Sequence, residues 1–260
     1  MNRIDIAELI IAQLSRQKNE LSQTFSAQTQ AIKCGYIDHV LPEQLCEQIY
    51  HAFPDNRSMK PYLALRDYKF VAAHIPQYNP IIEETAAAFQ DPQVRLLLAD
   101  ITGINSQPLS SLLDHSSLLA IHPQQFIAPH QPDRKDTDTR LWQVLELHYF
   151  VSPDWQAEHG GYLEYWQDGS ANHPQHIEPR HNRLVLSTTP LNSWQSISPV
   201  HHDSYASCHL VSRYYQDTPI LSAPTTLPKP RSRTPLHHLA SSAAGGIGKN
   251  LRKIFSPATK

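Results

Sequence analysis

The chain has 260 residues, of which 40% are hydrophobic and 18% charged. That is enough apolar material for one sizeable core and too much for disorder throughout. A formal net charge of −2 gives no overall attraction to nucleic acid, and no nucleic-acid partner is expected.

Apolar spacing predicts a first helix over residues 2–24, with Ile4, Ile6, Leu9, Ile10, Ile11 and Leu14 toward one face and Asn2 as its cap. Residues 33–41 read as a short strand. Pro42 then opens a helix that runs to Phe53, because proline suits a first helical position. Asn79-Pro80 opens another helix. Asp91-Pro92 interrupts it and restarts it toward Gly103. The first hundred residues are therefore expected to be mainly helical.

From about residue 117 the period changes. SLLAIH, FIAPH, WQVLELHYFV, GYLEYW, HIEP, RLVLST, WQSISPV and CHLVSRYY are short β-type runs separated by Pro, Asp, Asn and Gly. Closely spaced short strands predict a sandwich or jelly roll, and helices packed against one side make the class α+β.

Residues 217–260 differ in composition. They hold seven Lys/Arg, one acid (Asp217) and six prolines. Residues 218–245 read as a linker that buries too little apolar surface to fold. Within 246–256, Ile247, Leu251, Ile254 and Phe255 share a helical stripe, flanked by Lys249, Arg252 and Lys253. A basic amphipathic segment of this kind suits a protein partner or an anionic membrane surface. The expected organisation is an N-terminal helix at 1–30, a jelly-roll domain with helical buttress at 31–216, and a tail at 217–260.

Other classes are excluded by what is missing. There is no G-x-G-x-x-G, no G-x-x-x-x-G-K-[ST] and no G-x-S-x-G elbow, and the chain holds only 8 glycines. Cys34, Cys46 and Cys208 are odd in number and form no C-x-x-C, which fits a reducing, cytoplasmic setting. No run is long and apolar enough to be a membrane span. Glu164, beside the aromatic residues of GYLEYW, reads as an outward strand residue.

YFVSPDWQAEHGGYLEYW (149–166), HNRLVLSTTPLNSWQSISPV (181–200) and LVSRYY (210–215) carry a resemblance. Together with their surroundings, over about 66–215, they resemble the iron(II)/2-oxoglutarate dioxygenases, in the prolyl 4-hydroxylase-like branch. The resemblance implies a double-stranded β-helix core, Fe(II) and 2-oxoglutarate as cofactors, and a hydroxylase-type activity. It also implies an iron site of two histidines and one carboxylate, with a basic residue pairing with the cosubstrate's far carboxylate.

At those positions this sequence departs from the pattern. The family's P-H-x-D reads Pro129-His130-Gln131-Pro132, so His130 matches and Pro132 stands for the carboxylate. Asp133 is the substitute carboxylate if Pro132 bends the strand, since a one-residue shift otherwise turns a side chain to the other face. The second histidine falls at Gln195, and the basic anchor at Cys208. Arg213 is an odd number of residues from Cys208 and should face the other way. His201-His202-Asp203 is a nearby substitute cluster. Most of the 16 histidines lie on predicted loops, and His122 and His148 read as packed strand histidines.

Two functions follow. The first is an oxygenase-fold protein that has lost standard dioxygenase chemistry, keeps Fe(II) and 2-oxoglutarate weakly or not at all, and serves binding or regulation. The second is an active dioxygenase with rewired ligands, using His130 with Asp133 or with residues 201–203.

Overall fold

The computed structural model describes residues 1–222 except 56, 65–66, 73–74, 76–77, 108–114, 168–173 and 202–205. By contacts the chain divides into Met1–Pro228 and Lys229–Lys260. The second unit, with the amphipathic stripe at 246–256, lies outside the described residues. Among those described, no helix is long and apolar enough to cross a membrane.

Helix α1 (Arg3–Ala27) begins where a reciprocal cap forms. Asn2 Oδ1 accepts from the amides of Ile4 and Asp5 at 2.9 and 3.1 Å, and the Asp5 carboxylate accepts from the Asn2 amide. Ile6, Ile10, Leu14, Leu21 and Phe25 form its buried stripe, whereas Ile4 faces solvent. Each of these side chains contributes about 1.5–3 kcal/mol when fully buried. Helix α2 (Glu43–Ala52) follows Pro42. Helices α3 (Pro80–Phe89) and α4 (Pro92–Thr102) start on the side-chain caps Asn79 and Asp91, each followed by proline. Gly103 ends α4 at φ 74°, a left-handed conformation that favours glycine.

Among the described residues ten strands follow one hydrogen-bonded path, an eleventh pairs off it, and every pairing is antiparallel. One half consists of β1 (Cys34–Asp38), β9 (Arg183–Thr188), β6 (Trp142–Phe150), β11 (Ser207–Gln216) and β4 (Ser116–Ile121), in that spatial order. The other consists of β5 (Phe126–His130), β10 (Trp194–Ile197), β7 (Leu163–Trp166) and β8 (Gln175–Ile177). A hairpin of β2 (Lys60–Ala64) and β3 (Asp67–Ala72) joins them, with β3 pairing to both β4 and β5. The first hundred residues are mainly helical, as expected, and this hairpin is an element that the expectation lacked. Tyr68-Lys69-Phe70-Val71 has a strand-like composition that the flanking helical runs obscured.

Strand alternation sorts the side chains into two layers. Leu118 and Ala120 of β4, Leu145, Leu147 and Tyr149 of β6, Leu184 and Leu186 of β9, and Cys208, Leu210 and Tyr214 of β11 share one core with α1–α4. The helices therefore buttress one sheet, as expected. Leu119, Ile121, Phe150, Val185 and Val211 point the opposite way and meet Ile127, Leu163, Tyr165 and Ile197 of the second half. The two halves thus enclose an interior, which is the jelly-roll arrangement.

One glycine is sterically required. Gly160 (φ 71°, ψ −141°) turns the chain into β7, and a Cβ there would lie 2.1 Å from the Pro199 carbonyl oxygen. The first described residues of the tail also remain attached to the domain. The Leu191 amide donates to the Ile220 carbonyl at 2.8 Å, and Gln107 bonds Asp217. The Ser222 hydroxyl likewise donates to the Leu191 carbonyl.

Candidate functional site

The interior between the two halves holds a cavity of about 290 Å³. Its apolar wall includes Val71, Leu119, Leu163 and Val211, and its polar wall includes Gln143, Glu146, His148 and Arg213. His130, Pro132, Asp133 and Gln195 line it as well. Four of the five sequence-predicted site residues are thus brought together.

Two irregularities of register make this possible. In the β5–β10 pair His130 lies opposite Gln195, but the register shifts before Ile127 pairs with Ile197. The shift turns Ile127 and His130, which differ in parity, toward the same interior. Strand β5 ends at His130, so face alternation no longer governs Pro132 and Asp133, and both reach the cavity. The expectation that Asp133 turns away unless Pro132 bends the strand is replaced by this earlier strand end. In the β6–β11 pair the register shifts between Tyr214 and Tyr215, and Gln143 reaches the same cavity as Glu146 and His148.

Cys208 is corrected. It lies on the helix-facing side of β11, buried with Leu210 and Tyr214. Burial pushes its thiol up to about 12, against a smaller opposing hydrogen bond with Ser152. Arg213 does face away from Cys208 and therefore enters the cavity, so it is the basic residue that β11 supplies there. His201 is exposed, while His202 and Asp203 lie outside the described residues.

Glu146 is the electrostatic centre of the cavity. It is 3% exposed. Its Oε1 lies 3.2 Å from Arg213 Nε and its Oε2 3.4 Å from His148 Nε2. Gln195 Nε2 donates to Oε2 at 3.5 Å. Burial pushes the Glu146 carboxyl up, but the His148 hydrogen bond and the charges of His148, Arg213 and Arg134 outweigh it. They hold the group well below the usual carboxylate range.

Arg134 stands behind Gln195. Its Nη2 donates to Gln195 Oε1 at 3.1 Å and to Ser193 Oγ at 3.4 Å. Burial works against its charge, and Glu146 is the main group supporting it. Arg134 Nε and Nη1, Gln143 Nε2 and His148 Nδ1 are buried and have no hydrogen-bond partner among the described residues.

Sequence reasoning passed over Arg134, Gln143 and Glu146, and treated His148 as a packed histidine. The available signal was polar residues inside the apolar strand WQVLELHYF, since a buried polar group needs an acceptor, a donor or a ligand.

These residues do not fit a two-histidine, one-carboxylate iron centre. Proline replaces the carboxylate. The only oxygen that Gln195 could offer a metal accepts from a guanidinium instead, which also sets a positive charge beside that position. Among the described residues no group of three or more His, Cys, Asp or Glu could hold a metal ion.

Comparison with known proteins agrees with the fold. Residues 116–216 match the family model of the 2OG-Fe(II) oxygenase superfamily. A prolyl-4-hydroxylase of Pseudomonas putida superposes with a TM-score of 0.58 at 16% identity, covering 75% of this chain and 98% of its own. Prolyl 4-hydroxylase of Phytophthora capsici gives 0.53 at 14% identity, over 89% of this chain and 73% of its own. A prolyl hydroxylase from Trichoplax adhaerens, solved with a hypoxia inducible factor peptide fragment, gives 0.50 at 13% identity, over 78% and 90%. No curated protein sequence matches the chain. Residues 116–216 therefore match the 2OG-Fe(II) oxygenase superfamily model, and the chain shares the jelly-roll fold of these prolyl hydroxylases.

Proposed function

We propose that this chain keeps the oxygenase scaffold without standard iron/2-oxoglutarate chemistry and acts as a binding or regulatory protein. The observation that carries the reading is the Arg134–Gln195 hydrogen bond of 3.1 Å. It commits the residue at the second-histidine position to a guanidinium, and a fixed cation there opposes a divalent metal. Pro132 supports the same reading, because it has no ligating atom. The polar cavity remains, so the scaffold still offers an enclosed place for a small molecule.

Iron content of the purified protein, measured with conversion of 2-oxoglutarate to succinate, tests this. The expected result is iron far below one per chain even after incubation with Fe(II), and no succinate above the protein-free rate. Stoichiometric iron with coupled turnover would falsify the reading. That outcome would favour the rewired enzyme, for which the shared cavity position of His130 and Asp133 is the supporting observation.

A further inference from the structure

We propose that residues 217–222 are a releasable strap that holds the loop 189–194, and through that loop the Gln195 end of the cavity, in one of two arrangements.

The loop is fixed at both ends and supported between them by the strap. The Thr189 amide donates to the Val144 carbonyl of β6 at 3.0 Å, and Trp194 opens β10 opposite Trp166. Between these anchors Leu191 gives both backbone groups to the strap. Its amide donates to the Ile220 carbonyl at 2.8 Å, and its carbonyl accepts from the Ser222 hydroxyl. The strap is itself moored by Asp217, whose carboxylate accepts from the Gln107 side chain.

The next two residues of the loop reach the segment that follows His130. The Asn192 carbonyl accepts from Gln131 Nε2 at 2.9 Å. Ser193 Oγ accepts from Arg134 Nη2 at 3.4 Å, and the same nitrogen donates to Gln195 Oε1 at 3.1 Å. His130 and Gln195 in turn line the cavity. Holding Leu191 therefore holds, two residues on, the hydroxyl that helps fix Arg134 against Gln195.

Two observations point to a second arrangement. Thr189 Oγ1 and Trp194 Nε1, at the two ends of the loop, are buried without a hydrogen-bond partner among the described residues. Buried polar atoms are normally paired, and one left unpaired opposes the conformation that strands it. The strapped loop is thus held against a cost that a shift at either end relieves. The strap, for its part, is weakly held. Asp217, Thr218 and Leu221 are exposed, Leu221 at 79%, so release uncovers little apolar surface. The Gln107–Asp217 bond is exposed as well, and water competes for it. Such a segment belongs to the low-stability end of a fold and opens without the core.

Amide hydrogen exchange, followed residue by residue by NMR, tests the proposal. The full chain is compared with a variant carrying Ser222→Ala and Gln107→Ala, which removes both side-chain moorings. In that variant the Leu191 amide should exchange about tenfold faster, the effect of one or two lost hydrogen bonds. Ser193 and Gln195 should exchange severalfold faster. Leu147 of β6 and Leu210 of β11 should exchange as in the parent. A chain ending at Gln216 should show the same pattern more strongly, and if it does not fold the substituted full chain decides alone. The proposal is overturned if Leu191 keeps its parental rate in every variant that folds. It is also overturned if Leu191 quickens while Ser193 and Gln195 do not, since the strap would then hold one residue and control nothing beyond it. An equal loss of protection at Leu147 and Leu210 overturns it by making 217–222 part of the core. Iron content decides the reading under Proposed function and has no bearing on these rates.

Discussion

Glu146→Ala should destabilise the domain by about 3–5 kcal/mol, the usual range for removing one partner of a buried ionic cluster. The carboxylate is the counter-charge for Arg213, His148 and Arg134, and the buried guanidinium of Arg134 has no other acid acting on it comparably. Removing Glu146 leaves that charge desolvated and uncompensated. For an ordered domain of this size the melting temperature should fall by about 2–4 °C per kcal/mol. Urea unfolding of parent and variant measures the difference directly.

The same residue predicts a pH dependence with a definite sign. A carboxyl held below its unfolded value stabilises the fold above the unfolded pKa, about 4.3 for glutamate. That contribution is lost as pH falls toward the folded value. The gap between parent and Glu146→Ala should therefore be full near neutrality and begin to close below about pH 4.3. A gap that stays constant into acid would show that the loss is packing and not charge.

Asn182→Ala is the second large effect, expected at about 3–5 kcal/mol by the same unfolding measurement. Asn182 holds a left-handed backbone at φ 57°, which asparagine tolerates better than most side chains. Its Oδ1 accepts from the Leu41 amide at 3.1 Å and from the Tyr149 hydroxyl at 2.9 Å. Its Nδ2 donates to the Leu41 carbonyl at 2.7 Å. Alanine removes all three bonds at a buried position. It strands the Leu41 peptide groups and a fully buried tyrosine hydroxyl, each at about 1–3 kcal/mol. The Cys46 thiol beside Tyr149 is a weak acceptor and recovers only part of that. Tyr149→Phe removes one partner while leaving Asn182 bonded to Leu41, and should cost only about 1 kcal/mol. If both variants cost the same, the Leu41 bonds contribute nothing and the argument fails.

These two residues also mark how far local pattern reaches. The helices were readable because their signals are contiguous: Asn2 with Asp5, Asn79-Pro80 and Asp91-Pro92 each act within a single turn. The strands from 116 onward were readable because apolar alternation is also local. The β2–β3 hairpin was missed because it lies between strong helical runs. The departures at Pro132 and Gln195 were visible once neighbouring phrases aligned with a known pattern, and both residues do line the cavity.

What the chain determined by itself was the class of fold, its helical buttress and four of the residues that line the cavity, His130, Pro132, Asp133 and Gln195. Facing was decided only by tertiary structure, because a side chain's direction depends on register and on where a strand stops. A register shift in β5–β10 and the end of β5 at His130 bring His130, Pro132 and Asp133 to one cavity. Alternation along β11 sends Cys208 to the helices and Arg213 inward. The Arg134–Gln195–Glu146 network joins three segments distant in sequence. No local periodicity encodes such a meeting; it exists only after the two halves close and water no longer screens the charges between them.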